Sequence, residues 1–327
     1  MSTQPSVVPT TTAEQVKQFA IDVEYYLSQQ PRQLPSRYFY DALGSALFEA
    51  ICRLPWYGIT RAELRLIERH GPAILRHLDP LARLVELGPG NGGKLLRLLK
   101  TWSTALQRLE VHLVDVSPAA LAEASRALST LPDVHVITHE ASYEAGLADV
   151  MRDRSPLGRT LALFLGSNIG NFDRPGADAF LREIGARLAE GDALLVGADL
   201  VKPEPQLLAA YADPLGLTAA FDRNLLLRVN RELGGDFDLA QFGHRAVWNA
   251  EESRVEMHLV SRRRQRVQID AADLDITLEA GEAIWTESSY KYEASDIVAT
   301  LERAGFGLIE QWIDREDQFA LTLVQAI

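Results

Sequence analysis

The apolar positions between Arg83 and Ala198 fall into short runs separated by longer amphipathic stretches. The runs are Arg83–Leu87, Glu110–Val116 (EVHLVDV), Val134–Thr138, Thr160–Leu165 (TLALFL) and Ala193–Ala198. Each is too short for a helix and reads as a strand buried within a sheet. Helical periodicity lies between them. One helix runs from Gly93 to Lys100, SPAALAEASRALSTL forms another, and a third spans Ala177–Ala189. In the second of these, Ser117 is the expected N-cap and Pro118 the first helical residue. Strand–helix alternation of this kind predicts a parallel sheet with helices on both faces.

The flanking regions follow other patterns. Ala13–Gln29 has helical periodicity, and PSRYFYDALGSALFEAICRL carries aromatic residues and a second helix. After PWYGITRAE, a helix from about Arg61 to Ile74 keeps its charges on the outer face. Beyond Ala198 the alternation stops. PEPQLLAAYADPLGLTAAFDRNLLLRVNREL reads as helix and HRAVWNAEESRVEMHLVSRRRQRVQI as antiparallel strands, a separate α+β segment. The chain closes with a helix around Ser295–Ala304 and two strands, FGLIEQWID and QFALTLVQAI. Their connection, REDQ, is so short that it forces a hairpin and an antiparallel final strand. The first residues, MSTQPSVVPTTT, are polar, lack an apolar signal core and read as a loose tail.

Composition bounds the function classes. The chain has 327 residues, 47% hydrophobic and 24% charged, as an ordinary soluble globular protein has. Its net charge of −12 argues against nucleic acid or an anionic membrane as a partner. Arg262, Arg263, Arg264 and Arg266 are a local exception, which a solvated strand or turn explains as readily as a polyanion site. Cys52 is the only cysteine, so no intrachain disulfide forms and a reducing cytoplasm is the simplest home. Beside Phe48 and Ile51 it reads as a buried, inert thiol. No apolar run approaches the ~20 residues of a membrane span. His135 and His139 lie four apart in a strand and turn and need not share a face. No His, Cys and carboxylate cluster has metal-ligand spacing, so no metal is expected. A monomer is expected.

The chemistry concentrates in LVELGPGNGGKLLRLL, Leu84–Leu99, where a strand passes through a glycine turn into a helix. Gly88, Gly90 and Gly93 satisfy G-x-G-x-x-G, which also marks nicotinamide-dependent oxidoreductases. Three features favour S-adenosylmethionine. Glu86 lies two residues before the first glycine; it offers a pyrophosphate nothing but suits a cationic ligand with a free amino group. Asp115 ends the second strand, where a carboxylate accepts from ribose hydroxyls, although both cofactors have these. The terminal hairpin belongs to the class I methyltransferase order. Plainer alternatives stand beside these: a tight turn only for the glycines, a helix-cap neighbour for Asp115 and a solvated lysine for Lys94.

YFYDALGSALFEAICRLPWYGITRAE, LVELGPGNGGK, LFLGSNIGNF, GADLVKPEPQLLAAYADP, AAFDRNLLLRVNREL, VEMHL and TESSYKY are long, unusual stretches. Together, from about Leu34 to Leu323, they resemble the histidine Nα-methyltransferase family of ergothioneine biosynthesis. The resemblance implies a Rossmann-like class I methyltransferase sheet with an antiparallel C-terminal hairpin, plus a discontinuous α+β substrate domain. Residues 1–62 and 198–287 would form the substrate domain. Residues 63–197 with 288–327 would bind S-adenosyl-L-methionine, the methyl donor. The implied reaction is trimethylation of the α-amine of L-histidine to hercynine; another amino acid or amine is the alternative substrate.

The resemblance also implies site residues. Tyr40, Gly88, Gly90, Lys94, Asp115, Ser142 and Tyr143 would contact the cofactor. Ser142 and Tyr143 stand where the family tends to carry Asp-Phe, which leaves open how the adenine amino group is held. Tyr57, Gly166, Asn171, Tyr211, Met257, Glu287 and Ser289 would contact histidine, with Tyr57, Asn171 and Tyr211 as the catalytic positioning groups. Lys94, at a helix start, suits the methionine carboxylate. Asn171 and Tyr211 offer neutral donors to the substrate carboxylate. Glu287 and Ser289, two residues apart, would share a face of an extended segment and meet the two imidazole nitrogens.

Overall fold

The computed structural model describes residues 13–102, 109–152 and 158–327. The polar tail expected at the N-terminus lies outside them. In chain order the first elements are α1 (Ala13–Ser28), β1 (Arg32–Gln33), α2 (Ala42–Ile51) and α3 (Gly58–Arg76). The alternating region follows as β2 (Leu81–Leu87), α4 (Gly93–Lys100), β3 (Leu109–Asp115), α5 (Pro118–Leu128), β4 (Val134–Glu140) and α6 (Tyr143–Arg152). It continues as β5 (Arg159–Phe164), α7 (Arg174–Arg187) and β6 (Ala193–Asp199). Then come α8 (Glu204–Tyr211), α9 (Leu217–Leu233), β7 (Phe242–Asn249), β8 (Arg254–Ser261), β9 (Gln265–Ile269), β10 (Leu274–Leu278) and β11 (Ala283–Tyr290). The chain ends with α10 (Ala294–Arg303), β12 (Phe306–Asp314) and β13 (Phe319–Ala326).

The chain divides into two compact units. One joins the residues up to Tyr57 with Pro203–Ser288; the other joins Gly58–Lys202 with Ser289–Ile327. The sequence reading set these junctions after residues 62, 197 and 287.

The second unit holds a seven-stranded sheet in the order β12-β13-β6-β5-β2-β3-β4. β2 is parallel to both β3 and β5, so the chain leaves β2 in opposite directions on its two sides. A parallel sheet binds ligands at such a switch point, beyond the carboxyl ends of its strands. β13 is antiparallel to both β12 and β6. β6 is buried throughout, whereas the edge strand β12 buries only Phe306 and Trp312. The difference follows from sheet position, since a central strand is covered on both faces. On one side Val85, Phe164, Val196, Phe180, Leu181 and Ile297 share a continuous core.

The first unit holds a four-stranded sheet, β1-β11-β8-β7, and a separate β10-β9 pair. α9 carries Phe221, Leu225, Leu226 and Val229 into its core.

Several expectations shift. The helix expected over Arg61–Ile74 extends from Gly58 to Arg76. The segment from Glu204 to Leu233 is two helices, because Gly216 takes a left-handed backbone and Asp213 accepts from Leu217 N and Thr218 N at 3.1 and 2.7 Å. Cys52 is half-buried as the C-cap of α2, not an interior thiol, because the helix ends one residue earlier. The fourth strand runs on to Glu140, so His135 and His139 both lie on it; His139 pairs with His112 across β3 and β4, Nε2 to Nδ1 at 2.9 Å. Arg263, Arg264 and Arg266 are exposed and pair with Asp238, Glu279 and Asp275. No helix among the described residues is long and apolar enough to cross a membrane.

Candidate active site

The glycine turn sits where β2 passes into α4. Gly88, Gly90 and Gly92 all have left-handed φ angles, of +75°, +55° and +73°. At Gly88 a side chain is excluded twice, by the backbone angle and because a Cβ would stand 2.8 Å from both Asn168 Nδ2 and Tyr143 Oη. At Gly90 a side chain would enter open space, so there the backbone angle alone selects glycine. Gly88 N donates to Val114 O at 2.9 Å, which ties the turn to the end of β3.

Carboxylates surround this turn. Glu86, in β2, is 1% exposed and its Oε2 has no hydrogen-bond partner among the described residues. Burial pushes its carboxyl up to about 8; the charges of Glu63 and Asp115 push the same way and Lys94 opposes them. Asp115, at the end of β3, accepts from Ser117 N at 2.8 Å, and burial outweighs its backbone bonds to raise its titration. It stands directly before the start of α5, whose N-cap is Ser117.

Glu63 is a member of the site that the sequence reading missed. It is fully buried on α3, pairs with Lys94 Nζ at 2.6 Å and accepts from Gly166 N at 2.9 Å. Gly197 makes room for it, since a Cβ there would lie 2.0 Å from Glu63 Oε1. A signal existed. Glu63 falls within the apolar stripe Ile59, Ala62, Leu66, Ile67, where a solvated carboxylate does not belong. Lys94, expected to face the cofactor carboxylate, is thus ion-paired within the protein.

Beyond β5 the chain makes a strained turn. Gly166 has φ +78°, and Ser167, a non-glycine residue, has φ +59°. The Ser167 hydroxyl accepts from Asp199 N at 2.9 Å and holds that conformation. Asn171 ends the short 3-10 turn Asn168–Asn171 and is exposed. Asn168, not singled out before, is the asparagine beside Gly88 and Gly166. Tyr143 starts α6, with its ring edge-on to Phe164 at 5.5 Å and its hydroxyl at the glycine turn. Burial raises its titration far above the ordinary phenol range. Ser142 is exposed and its Oγ accepts from Ala145 N at 3.3 Å, so its side chain caps α6.

Ser289, in the last part of β11, is buried, and its Oγ accepts from Lys291 Nζ at 2.9 Å. Lys291 is fully buried and pairs with Asp199 Oδ2 at 2.9 Å; Asp199 Oδ1 in turn meets Lys202 Nζ at 2.5 Å. This network was also missed.

In the first unit the aromatic site residues come together. Tyr40 packs on Phe48 and Phe221, Phe48 on Tyr57, and Tyr57 on Tyr211, with centroid separations of 5.7, 5.8, 6.2 and 6.4 Å in that order. Met257, in β8, is 1% exposed, and its carbonyl accepts from the Thr286 hydroxyl at 3.0 Å. Glu287, in β11, is half-buried, and its carbonyl accepts from Trp285 Nε1 at 2.9 Å. Among the described residues no group of three or more His, Cys, Asp and Glu side chains could hold a metal ion.

A parallel sheet extended by an antiparallel final strand, with a carboxylate and a glycine turn at the end of its first strand, defines a class I S-adenosylmethionine-dependent methyltransferase. The family described as histidine-specific, SAM-dependent methyltransferase matches residues 19–326, and the chain belongs to it. The histidine N-alpha-methyltransferase of Mycolicibacterium smegmatis is 39% identical over 303 residues, 92% of this chain and 93% of that one. That of Mycobacterium tuberculosis is 40% identical, with the same coverage. More distant is the L-tryptophan methyltransferase trpM of Psilocybe serbica, 27% identical over 90% of this chain and 88% of its own.

Proposed function

We propose that the protein trimethylates the α-amine of L-histidine to hercynine, a step of ergothioneine biosynthesis. The family match across residues 19–326 carries this reading. S-adenosylmethionine, when bound, supplies the electrophilic methyl group. The residues present suit it: the unpartnered Glu86 oxygen is an acceptor for an amino group, and Lys94 offers a cation to a carboxylate. Gly88 and Gly90 let the backbone approach closely, and Asp115 accepts from ribose hydroxyls. Tyr40, Ser142 and Tyr143 complete the proposed cofactor contacts.

Tyr57, Gly166, Asn171, Tyr211, Met257, Glu287 and Ser289 are proposed to hold histidine. Methyl transfer is an in-line displacement, so these groups must aim the nitrogen lone pair and admit the neutral amine. Tyr57, Asn171 and Tyr211 position the amino-acid head. The Tyr40–Tyr57–Tyr211 aromatic array attracts the ammonium that grows with each methylation. Glu287 accepts from one imidazole nitrogen, and Met257 lies against the ring. The tryptophan-acting relative favours one second reading, the same chemistry on another amino acid.

Mass spectrometry of histidine, phenylalanine and tryptophan incubated with the protein and S-adenosylmethionine decides between them. Histidine alone should gain three methyl groups. Glu287→Ala should lose most of this activity, keep cofactor binding and narrow the preference for histidine, since an unpaired buried polar group costs about 1–3 kcal/mol. Equal turnover of tryptophan by the native protein would overturn the assignment. The reading extends to a cytoplasmic monomer with no nucleic-acid or membrane partner, supported by the net charge of −12 and the single cysteine. Light scattering of the eluting protein tests the monomer.

A further inference from the structure

The side chain of His244, on β7, is 5% exposed, and its two ring nitrogens face the Asp222 carboxylate and the Tyr211 carbonyl. Nδ1 lies 2.7 Å from the Asp222 carboxylate and Nε2 lies 2.7 Å from the Tyr211 carbonyl. A neutral imidazole carries one N–H, and its other nitrogen would confront a lone pair at that distance. With Asp222 as the carboxylate, both contacts are satisfied only when both nitrogens carry protons. Asp222 is fully buried on α9, and its second oxygen accepts from the Thr286 hydroxyl at 2.6 Å. The same hydroxyl reaches the Met257 carbonyl at 3.0 Å. One buried ion pair therefore ties the backbone of Tyr211, at the end of α8, to that of Met257, on β8, and to the strand that carries Glu287.

We propose that His244 is an imidazolium at neutral pH and that the His244–Asp222 pair positions Tyr211 and Met257 for histidine. The inference rests on the assignment of Tyr211 and Met257 to the substrate. Burial opposes the charge, but the Asp222 hydrogen bond and charge, with the Tyr211 carbonyl, outweigh it and raise the titration above the ordinary 6.5. Arg223, the next residue on α9, acts against the charge. β8 carries the titratable groups Glu256 and His258; burial lowers the titration of His258, which senses Asp222, Glu256 and Arg245. Asp222 is thus the counter-ion, and its loss would leave a buried cation unpaired, the costly case for such pairs.

Two measurements test this. Nitrogen-15 spectra of the native protein, with the His244 signal assigned by its loss in His244→Gln, should show two protonated ring nitrogens at a pH of about 7.5, where an unperturbed histidine is mostly neutral. A neutral ring there overturns the proposal. In steady-state kinetics, folded His244→Gln should raise the histidine KM by about tenfold, roughly the loss of one charge-assisted hydrogen bond. Its kcat should change far less and its S-adenosylmethionine affinity not at all. The native histidine KM should also carry an alkaline rise that is absent in His244→Gln. Tyr211→Phe serves as the reference. If Tyr211→Phe leaves the histidine KM unchanged, the substrate assignment is wrong; if it raises KM and folded His244→Gln does not, the positioning role is wrong.

Discussion

At the residue scale, Glu86 is a buried carboxyl whose protonation is tied to the stability of the fold. Its folded-state titration, raised to about 8 from an ordinary 4.5, means that folding favours the protonated form. Any stability it lends is therefore complete below 4.5 and is lost as pH rises through about 8. Scanning calorimetry of the cofactor-free protein should show Glu86→Gln melting higher than the native chain at alkaline pH, with the two converging in acid. Calorimetric titration should show the same variant binding S-adenosylmethionine more weakly. Native affinity should increase up to a pH of about 8, because binding a cation requires the carboxylate. An unchanged affinity in Glu86→Gln would separate Glu86 from the cofactor. Its place two residues before the first glycine made it legible in the sequence. Glu63 was less so, because a helix pattern marks a charge on the wrong face without saying what it meets.

At the scale of elements, the Ser117 cap was legible because its partner is local, whereas the Asp173 cap was not read and its helix starts at Arg174, before the expected Ala177. Ser117 caps α5 through Ala120 N at 3.3 Å, and Asp173 caps α7 through Gly176 N at 2.8 Å. Asp173→Ala should destabilise the protein by about 1 kcal/mol in urea unfolding, and Ser117→Ala, whose bond is longer, by less. A larger effect at Ser117 would show that its side chain has another role. Element ends set by pairing were less legible. β4 continues to Glu140 because Asp115 of β3 is opposite it, a register that the polar residues Thr138–Glu140 do not announce. Glu287 and Ser289 do lie two apart on one strand, as the spacing indicated, but the buried lysine that engages Ser289 comes from the residues after that strand.

The whole molecule combines an acidic surface with a few buried histidines of opposite behaviour. Burial is the largest cause that pushes His112 down to about 4, with the charges of Arg83 and His139 adding to it. A base depressed in this way costs stability in acid, since the unfolded chain takes up the proton first near 6.5. The native protein should lose stability progressively between about 6.5 and about 4, and His112→Leu should flatten that part of the thermal-melting profile. An unaltered profile would assign the acid loss to other groups. His244 runs in the opposite sense, so its contribution is lost on the alkaline side.

The sequence by itself determined the sheet class, the antiparallel last strand, the glycine turn and the family. Each is written in local periodicity, a loop too short for a crossover, or motifs of contiguous residues. Tertiary structure alone decided which charges meet. Glu63 with Lys94 and Gly166, Asp199 with Lys291, and Asp222 with His244 each join residues far apart in the chain. Such a pair leaves no periodic trace, because each partner needs only to lie on a buried face of its own element. What brings the two faces together is the packing of the whole unit.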